Sequence, residues 1–227
     1  MVPLLLWWAR IDQRRAQATS LLAIAPAAFI GTASYAIGGV FPVFPALIVA
    51  LGATAGAQWG AFLLRRLSLP WLRWSFIAFV AAMSVAVMLT IPNRDVHIEL
   101  SLLVAMGLLI VGVVMGVSAG LFGIGGGIIA IPALMVLFGV GDWEAKGISL
   151  IAMAPAALSG SVSHLRHHSA QLRDGLWVAA GALVSTPMGS VGAFAISESA
   201  ANLIFGGFGL AIAGLLAIRA VAQQGPR

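Results

Sequence analysis

Charged positions along the chain fall into short clusters separated by long uncharged runs. The runs are Ala16–Leu64, Trp74–Asn93, Leu100–Gly141, Gly147–Leu165, Gly175–Ser197 and Ser199–Ile218. A helix needs about 20 apolar residues to cross roughly 30 Å of hydrocarbon. Four runs are one crossing long, while Ala16–Leu64 and Leu100–Gly141 are each long enough for two. No water is present in a bilayer core to satisfy backbone N–H and C=O groups, so each run is expected to be helical. The pattern predicts an all-α integral membrane protein, a polytopic helical bundle.

Composition sharpens this reading. Hydrophobic residues make up 61% of the 227 and charged residues 8%, against roughly 25% charged in a soluble globular domain. A water-facing surface cannot be built from these residues. The 27 glycines suit close helix packing in lipid. The net charge of +5 raises nucleic acid as a partner, but no basic-aromatic interleaving suited to base stacking accompanies it. The lipid bilayer is the expected partner instead, in the cell (plasma or inner) membrane, with a homo-oligomer left open. The chain has no cysteine, so it is silent about redox compartment. The opening MVPLLLWWARID does not read as a signal peptide, because its apolar run is short and Arg10 follows the run instead of preceding it. Trp7, Trp8, Trp71, Trp74 and Trp143 stand beside charge clusters, as interfacial anchors do.

The chain also matches itself without gaps at an offset of 129 residues. Ser20-Leu21-Leu22-Ala23-Ile24-Ala25-Pro26-Ala27-Ala28-Phe29-Ile30-Gly31 falls on Ser149-Leu150-Ile151-Ala152-Met153-Ala154-Pro155-Ala156-Ala157-Leu158-Ser159-Gly160. The register holds for Gly52 on Gly181, Gly60 on Gly189, Phe76 on Phe205, Phe79 on Phe208 and Pro3 on Pro132. Glycine and proline do not interchange freely with Leu or Val, so shared positions in one register argue against chance. Two repeats are expected, residues 1–92 and 99–222. In the second, about thirty residues, including Gly120-Leu121-Phe122-Gly123-Ile124-Gly125-Gly126-Gly127, precede the point equivalent to Met1. The first repeat is therefore expected to be N-terminally incomplete, lacking the counterpart of that piece.

As one helix, Leu100–Gly141 would be about 63 Å long, twice the hydrocarbon core. It is expected to fold back at the glycine run. With a hairpin there, Arg10, Arg14, Arg15, Arg65, Arg66, Arg73, Arg166, Arg173, Arg219 and Arg227 share one side, leaving only Arg94 and Lys146 on the other. This split follows the positive-inside rule. Each repeat then has an odd number of crossings and the two are inverted, an arrangement found in secondary transporters with a site between the halves.

The candidate binding residues follow from that frame. A break at the glycine run would leave the N–H groups of Gly126, Gly127 and Ile128 free at the start of the next helix, where the helix dipole favours an anion. Gly123 and Gly125 complete the turn. The competing reading is a tight turn for close packing. Pro26 and Pro155 each interrupt an apolar helix and free a carbonyl, equally well explained as packing kinks. Ser20 and Ser149 offer hydroxyls, although membrane serines often bond their own backbone. His164, His167 and His168 form a cluster with Arg166 and Arg173 that reads first as a solvated loop, with the alternative left open that His164, which falls on Tyr35 in the repeat register, lies within a span and edges the pathway. No cysteine or intramembrane carboxylate supports a metal or a proton relay there. No catalytic constellation, metal site or cofactor is expected, and an enzyme is disfavoured.

The segment Gly120-Leu121-Phe122-Gly123-Ile124-Gly125-Gly126-Gly127-Ile128-Ile129-Ala130-Ile131-Pro132-Ala133-Leu134 resembles the signature of the TauE/SafE sulfite exporter family. Ser149–Gly160 and the Gly181/Gly189 pair are similar to that family too. The resemblance spans both repeats. It implies a permease for small sulfur-containing anions such as sulfite or sulfonates, with Gly120, Gly123, Gly125, Gly126, Gly127 and Pro132 carried over by motif match. The competing expectation is a non-transporting membrane subunit or an inactive truncated remnant.

Overall fold

The computed structural model describes residues 13–89, 101–167, 172–195 and 197–222. Pro3, Trp7, Trp8, Arg10, Arg94, His168 and Arg227 lie outside them. The described residues form helices and no strand: α1 Gln13–Ile37, α2 Val43–Arg66, α3 Leu69–Leu89, α4 Leu102–Phe122, α5 Gly127–Phe138, α6 Asp142–Arg166, α7 Leu172–Ala195 and α8 Glu198–Ala222. The helices on Arg14–Ile37, Val43–Arg66, Pro70–Leu89, Leu102–Phe122 and Trp143–Arg166 are long and apolar enough to cross a membrane. Large apolar side chains such as Leu51, Trp59, Ile110 and Val184 point outward, a surface that lipid can cover and water cannot.

Local signals set the helix ends. The Ser101 side chain accepts a hydrogen bond from the Val104 N–H and caps α4. Gly139 closes α5 in the left-handed conformation, φ 65°, with its N–H on the Met135 carbonyl. Arg65 and Arg66 lie in the last turn of α2, where the helix dipole favours cations. The Arg14 guanidinium donates to the Leu67 carbonyl just beyond, tying the start of α1 to the end of α2.

Shifting α1 by 129 residues gives the bounds of α6, and the same shift turns α2 into α7 and the first residue of α3 into that of α8. The glycine-rich α4–α5 hairpin has no counterpart among the described residues.

The packing of α1 on α6 shows the hand of the repeat. Leu150 lies against Gly31, and Leu21 lies against Gly160. These contacts exchange under the 129-residue shift. As numbering rises along α1 it falls along α6, so the two equivalent helices run antiparallel. This relationship is expected of inverted repeats.

A second seam joins α2 to α4. A side-chain carbon added to Gly52, Gly56 or Gly60 would run into the backbone of α4, and one on Gly112, Gly116 or Gly120 would run into the carbonyls of Val49, Ala53 or Ala57. Those pairs rise together in number, so α2 and α4 are parallel. Without a hydrophobic drive between helices in lipid, such backbone-to-backbone approach supplies the association through packing. The surrounding core gathers Ala46, Val49, Ala53, Ala57, Leu108, Met115, Ile148 and Ala152.

Candidate functional site

The α4–α5 connection is a tight turn of glycines. Gly123 ends α4 at φ 65°, ψ 29°, and donates its N–H to Ala119. Gly125 and Gly126 follow at φ 76° and 77°, a conformation that costs an L-residue about 1–2 kcal/mol. Space demands glycine as well. A side-chain carbon on Gly123 would strike the Gln17 carbonyl, and one on Gly126 the Met115 carbonyl.

The turn opens into the N-terminus of α5. Gly126 is the cap residue, with no side-chain hydrogen bond there. The N–H groups of Ile129 and Ala130 both bond the Gly126 carbonyl, at 3.0 and 3.1 Å. This leaves the amides of Gly126, Gly127 and Ile128 without a backbone acceptor among the described residues, and they form the positive end of the α5 dipole.

Two further helices wall this end. Ile24 of α1 and Met153 of α6, equivalent residues of the two repeats, both meet the position a side chain would take on Gly125, at 2.9 and 2.8 Å. The Ser149 hydroxyl stands 2.9 Å from where a side-chain carbon on Gly127 would be. Ser149 is 1% exposed, and its hydroxyl has no hydrogen-bond partner among the described residues. An unsatisfied buried hydroxyl costs free energy, so its position beside free amides is informative. Both groups are hydrogen-bond donors that could converge on one acceptor.

The prolines are placed by symmetry. The reciprocal contacts Leu21–Gly160 and Gly31–Leu150 are centred on Pro26 and Pro155, which puts these residues level with each other where α1 crosses α6. They remove one helical hydrogen bond in each helix at that centre. The structure thus brings Gly123, Gly125, Gly126, Gly127, Ile128 and Ser149 together. Ser20 is also buried, but none of the atoms nearest the turn glycines belongs to Ser20, Pro26 or Pro155.

One expectation is corrected. His164 does not lie in a solvated loop. It is in the last turn of α6, fully buried, with Nε2 3.1 Å from the Gly120 carbonyl. The imidazole meets the α4 backbone at this carbonyl, while the side of Gly120 that lacks a side chain faces Ala57 of α2. His167, three residues on, is exposed, with Nδ1 at the Ser163 carbonyl. Among the described residues, no three His, Cys, Asp or Glu gather where they could hold a metal.

Sequence reasoning missed Gln17, Ile24 and Met153. Gln17 is completely buried, and its amide has no partner among the described residues. A glutamine in an apolar run was the available signal. For Ile24 and Met153 it was their equivalence in the repeat, two residues before each proline.

A bundle of long apolar helices, with equivalent helices antiparallel and a hairpin broken at glycines, is the architecture of a multi-pass membrane protein. The chain belongs to the sulfite exporter TauE/SafE family, whose model matches residues 1–87 and 108–227. A relative from Xylella fastidiosa (strain 9a5c), named "Probable membrane transporter protein", is 27% identical over 200 residues, covering 86% of this chain and 76% of the relative. No solved structure matches the chain.

Proposed function

We propose that the protein is a permease that moves a small anion, sulfur-containing as in sulfite or a sulfonate, across the cell membrane. The observation that carries this reading is the buried, unpartnered Ser149 hydroxyl beside the first turn of α5, where the amides of Gly126, Gly127 and Ile128 are also unbonded. Neutral donors at a helix N-terminus bind an anion without a fixed positive charge. No carboxylate of the described residues stands at this turn, so the charge complementarity there comes from the amide donors and the helix dipole and favours an anion. Family membership supports a transported small molecule, and the family's description supports sulfite as its chemistry.

Ser20 and Pro26 on α1 complete the proposed pathway as the counterparts of Ser149 and Pro155. Alternation of access would pivot where α1 crosses α6, because this crossing relates the two halves.

The test is flux in proteoliposomes. Sulfite or a small sulfonate should exchange, and Gly127→Val, which crowds Ser149 and Met153, should abolish the exchange while the protein stays folded. Transport that prefers cations, or anion flux unchanged by the substitution, would overturn the reading.

A further inference from the structure

The register of α1 on α6 places one buried pair that the Ser149 site does not use. Leu21 of α1 lies against Gly160 of α6. Gln17 is one turn before Leu21, and His164 is one turn after Gly160. The helices run antiparallel, so the two residues stand level on the facing sides of the seam. Both also come to the last turn of α4. A side-chain carbon on Gly123 would strike the Gln17 carbonyl, and His164 Nε2 is 3.1 Å from the Gly120 carbonyl. Each residue is fully buried. Neither amide atom of the Gln17 side chain, nor Nδ1 of His164, has a hydrogen-bond partner among the described residues. Ser161, one turn nearer Pro155, is buried and unpartnered as well. Buried polar groups are nearly always bonded, so open ones gathered along one seam mark a place for a ligand. The 129-residue shift exchanges Gln17 and His164 for Lys146 and Tyr35, which puts a polar pair at the other end of the seam too.

The chemistry of the open atoms describes the occupant. A carbonyl only accepts, so His164 Nε2 carries a hydrogen, and in the neutral ring Nδ1 is a bare acceptor. The Gln17 amide adds N–H donors and a further acceptor. Arg65 of α2 donates to the Ser163 hydroxyl at 3.4 Å and brings a positive charge to the same turn of α6. The ligand that fits is small, negative, and able to donate one hydrogen bond as well as accept others. We propose that Gln17 and His164 form a binding station for a small oxyanion that keeps a hydroxyl group. Hydrogensulfite is the form that suits the permease reading, on which this inference rests. Its O–H donates to Nδ1, and its other oxygens accept from the Gln17 amide. A sulfonate has no such hydrogen to give and sets an oxygen lone pair against Nδ1. The station therefore distinguishes anions that the Ser149 turn does not, because the groups at Gly126, Gly127, Ile128 and Ser149 are all donors and accept any oxyanion. Ser161 stands between the station and the proline crossing, on the side of α6 that leads from one to the other.

Gln17→Met and His164→Phe each remove the hydrogen-bonding groups while filling the space. Proteoliposomes holding the parent or either variant are given hydrogensulfite and methanesulfonate in competition, in mildly acidic buffer, and the uptake of each is measured. The parent should prefer hydrogensulfite by roughly tenfold or more, the contribution of one hydrogen bond to a charged group. Each substitution should erase most of that preference. Thermal unfolding reports on the fold of each variant. Gln17→Met deletes unsatisfied buried atoms and should hold or raise the midpoint, so it carries the test if His164→Phe does not fold. A Gln17→Met protein that loses stability marks the amide as a structural group, satisfied by ordered water only, and overturns the proposal. Flux without the preference, or a preference that Gln17→Met leaves intact, overturns it while leaving the permease reading in place. No flux of either anion through the parent overturns that reading and this inference together.

Discussion

Ser149 and Gly127 face each other across the mouth of the broken hairpin, the serine hydroxyl 2.9 Å from where a side-chain carbon on the glycine would lie. Packing accounts for the glycine, since a side-chain carbon there would also meet Met153 at 2.8 Å, but it does not account for the serine. The hydroxyl is buried and unbonded among the described residues, and the glycine amide begins a helix without a cap from any side chain. A bound acceptor would satisfy both, and this pairing separates the requirements of the fold from those of the proposed ligand.

Ser149→Ala should therefore leave stability unchanged or slightly raised, because it deletes an unsatisfied buried polar group. Anion affinity should fall. A hydrogen bond to a charged group contributes about 1.5–3 kcal/mol, or roughly 10- to 100-fold in binding. Thermal unfolding with and without sulfite reads both effects: the unliganded midpoint should hold while the sulfite-induced shift disappears. A lowered unliganded midpoint would instead mark the hydroxyl as structural.

Gly126 and Gly139 share the left-handed conformation, at φ 77° and 65°, but differ in surroundings. A side-chain carbon on Gly126 would strike the Met115 carbonyl, and one on Gly139 would meet nothing within 4 Å. Gly139→Ala should cost only the backbone term, about 1–2 kcal/mol. Gly126→Ala adds overpacking of about 1–3 kcal/mol. Denaturation of both variants in the same detergent should rank Gly126→Ala as clearly the worse.

The helical spans, the repeat and the position of the break were legible in the sequence. Charge clusters bound the runs, and glycine and proline mark points that a straight apolar helix avoids. The helix bounds of α1 and α2 recur in α6 and α7 because the same punctuating residues recur. What could not be read was which residues meet across the bundle. The grip of Ile24 and Met153 on Gly125 depends on the antiparallel crossing of α1 and α6, a tertiary relationship. His164 looked like part of a basic loop because Arg166, His167 and Arg173 follow it. Its burial comes with the approach of α6 to the Gly120 carbonyl of α4, forty-four positions away. Polar residues facing a neighbouring helix carry no local mark of that contact.

The burial of His164 has its own consequence. His164→Ala should destabilise the protein by about 2–4 kcal/mol, through a cavity and the lost contact to the Gly120 carbonyl. His164→Phe, which fills the space, should recover much of that loss. A chelator should leave the unfolding midpoint of the parent protein unchanged. A midpoint lowered by chelation would point to a metal held by this histidine.

The symmetry of Pro26 and Pro155 makes the last prediction. Both sit at the centre of the α1–α6 crossing, and each interrupts its helix by withholding one backbone donor. Proline in a helix interior is about 3 kcal/mol less favourable than alanine, so Pro26→Ala and Pro155→Ala should not weaken the helices that carry them. If the kinks let the two halves move about their crossing, each substitution should lower flux in proteoliposomes while sulfite binding persists. The two losses should be of similar size, because equivalent positions of inverted halves exchange roles between the two access states. The double variant tests the coupling. Independent kinks would give multiplied losses, whereas a shared hinge predicts that the second substitution adds little to the first. Unchanged flux in both single variants would restrict the prolines to a packing role.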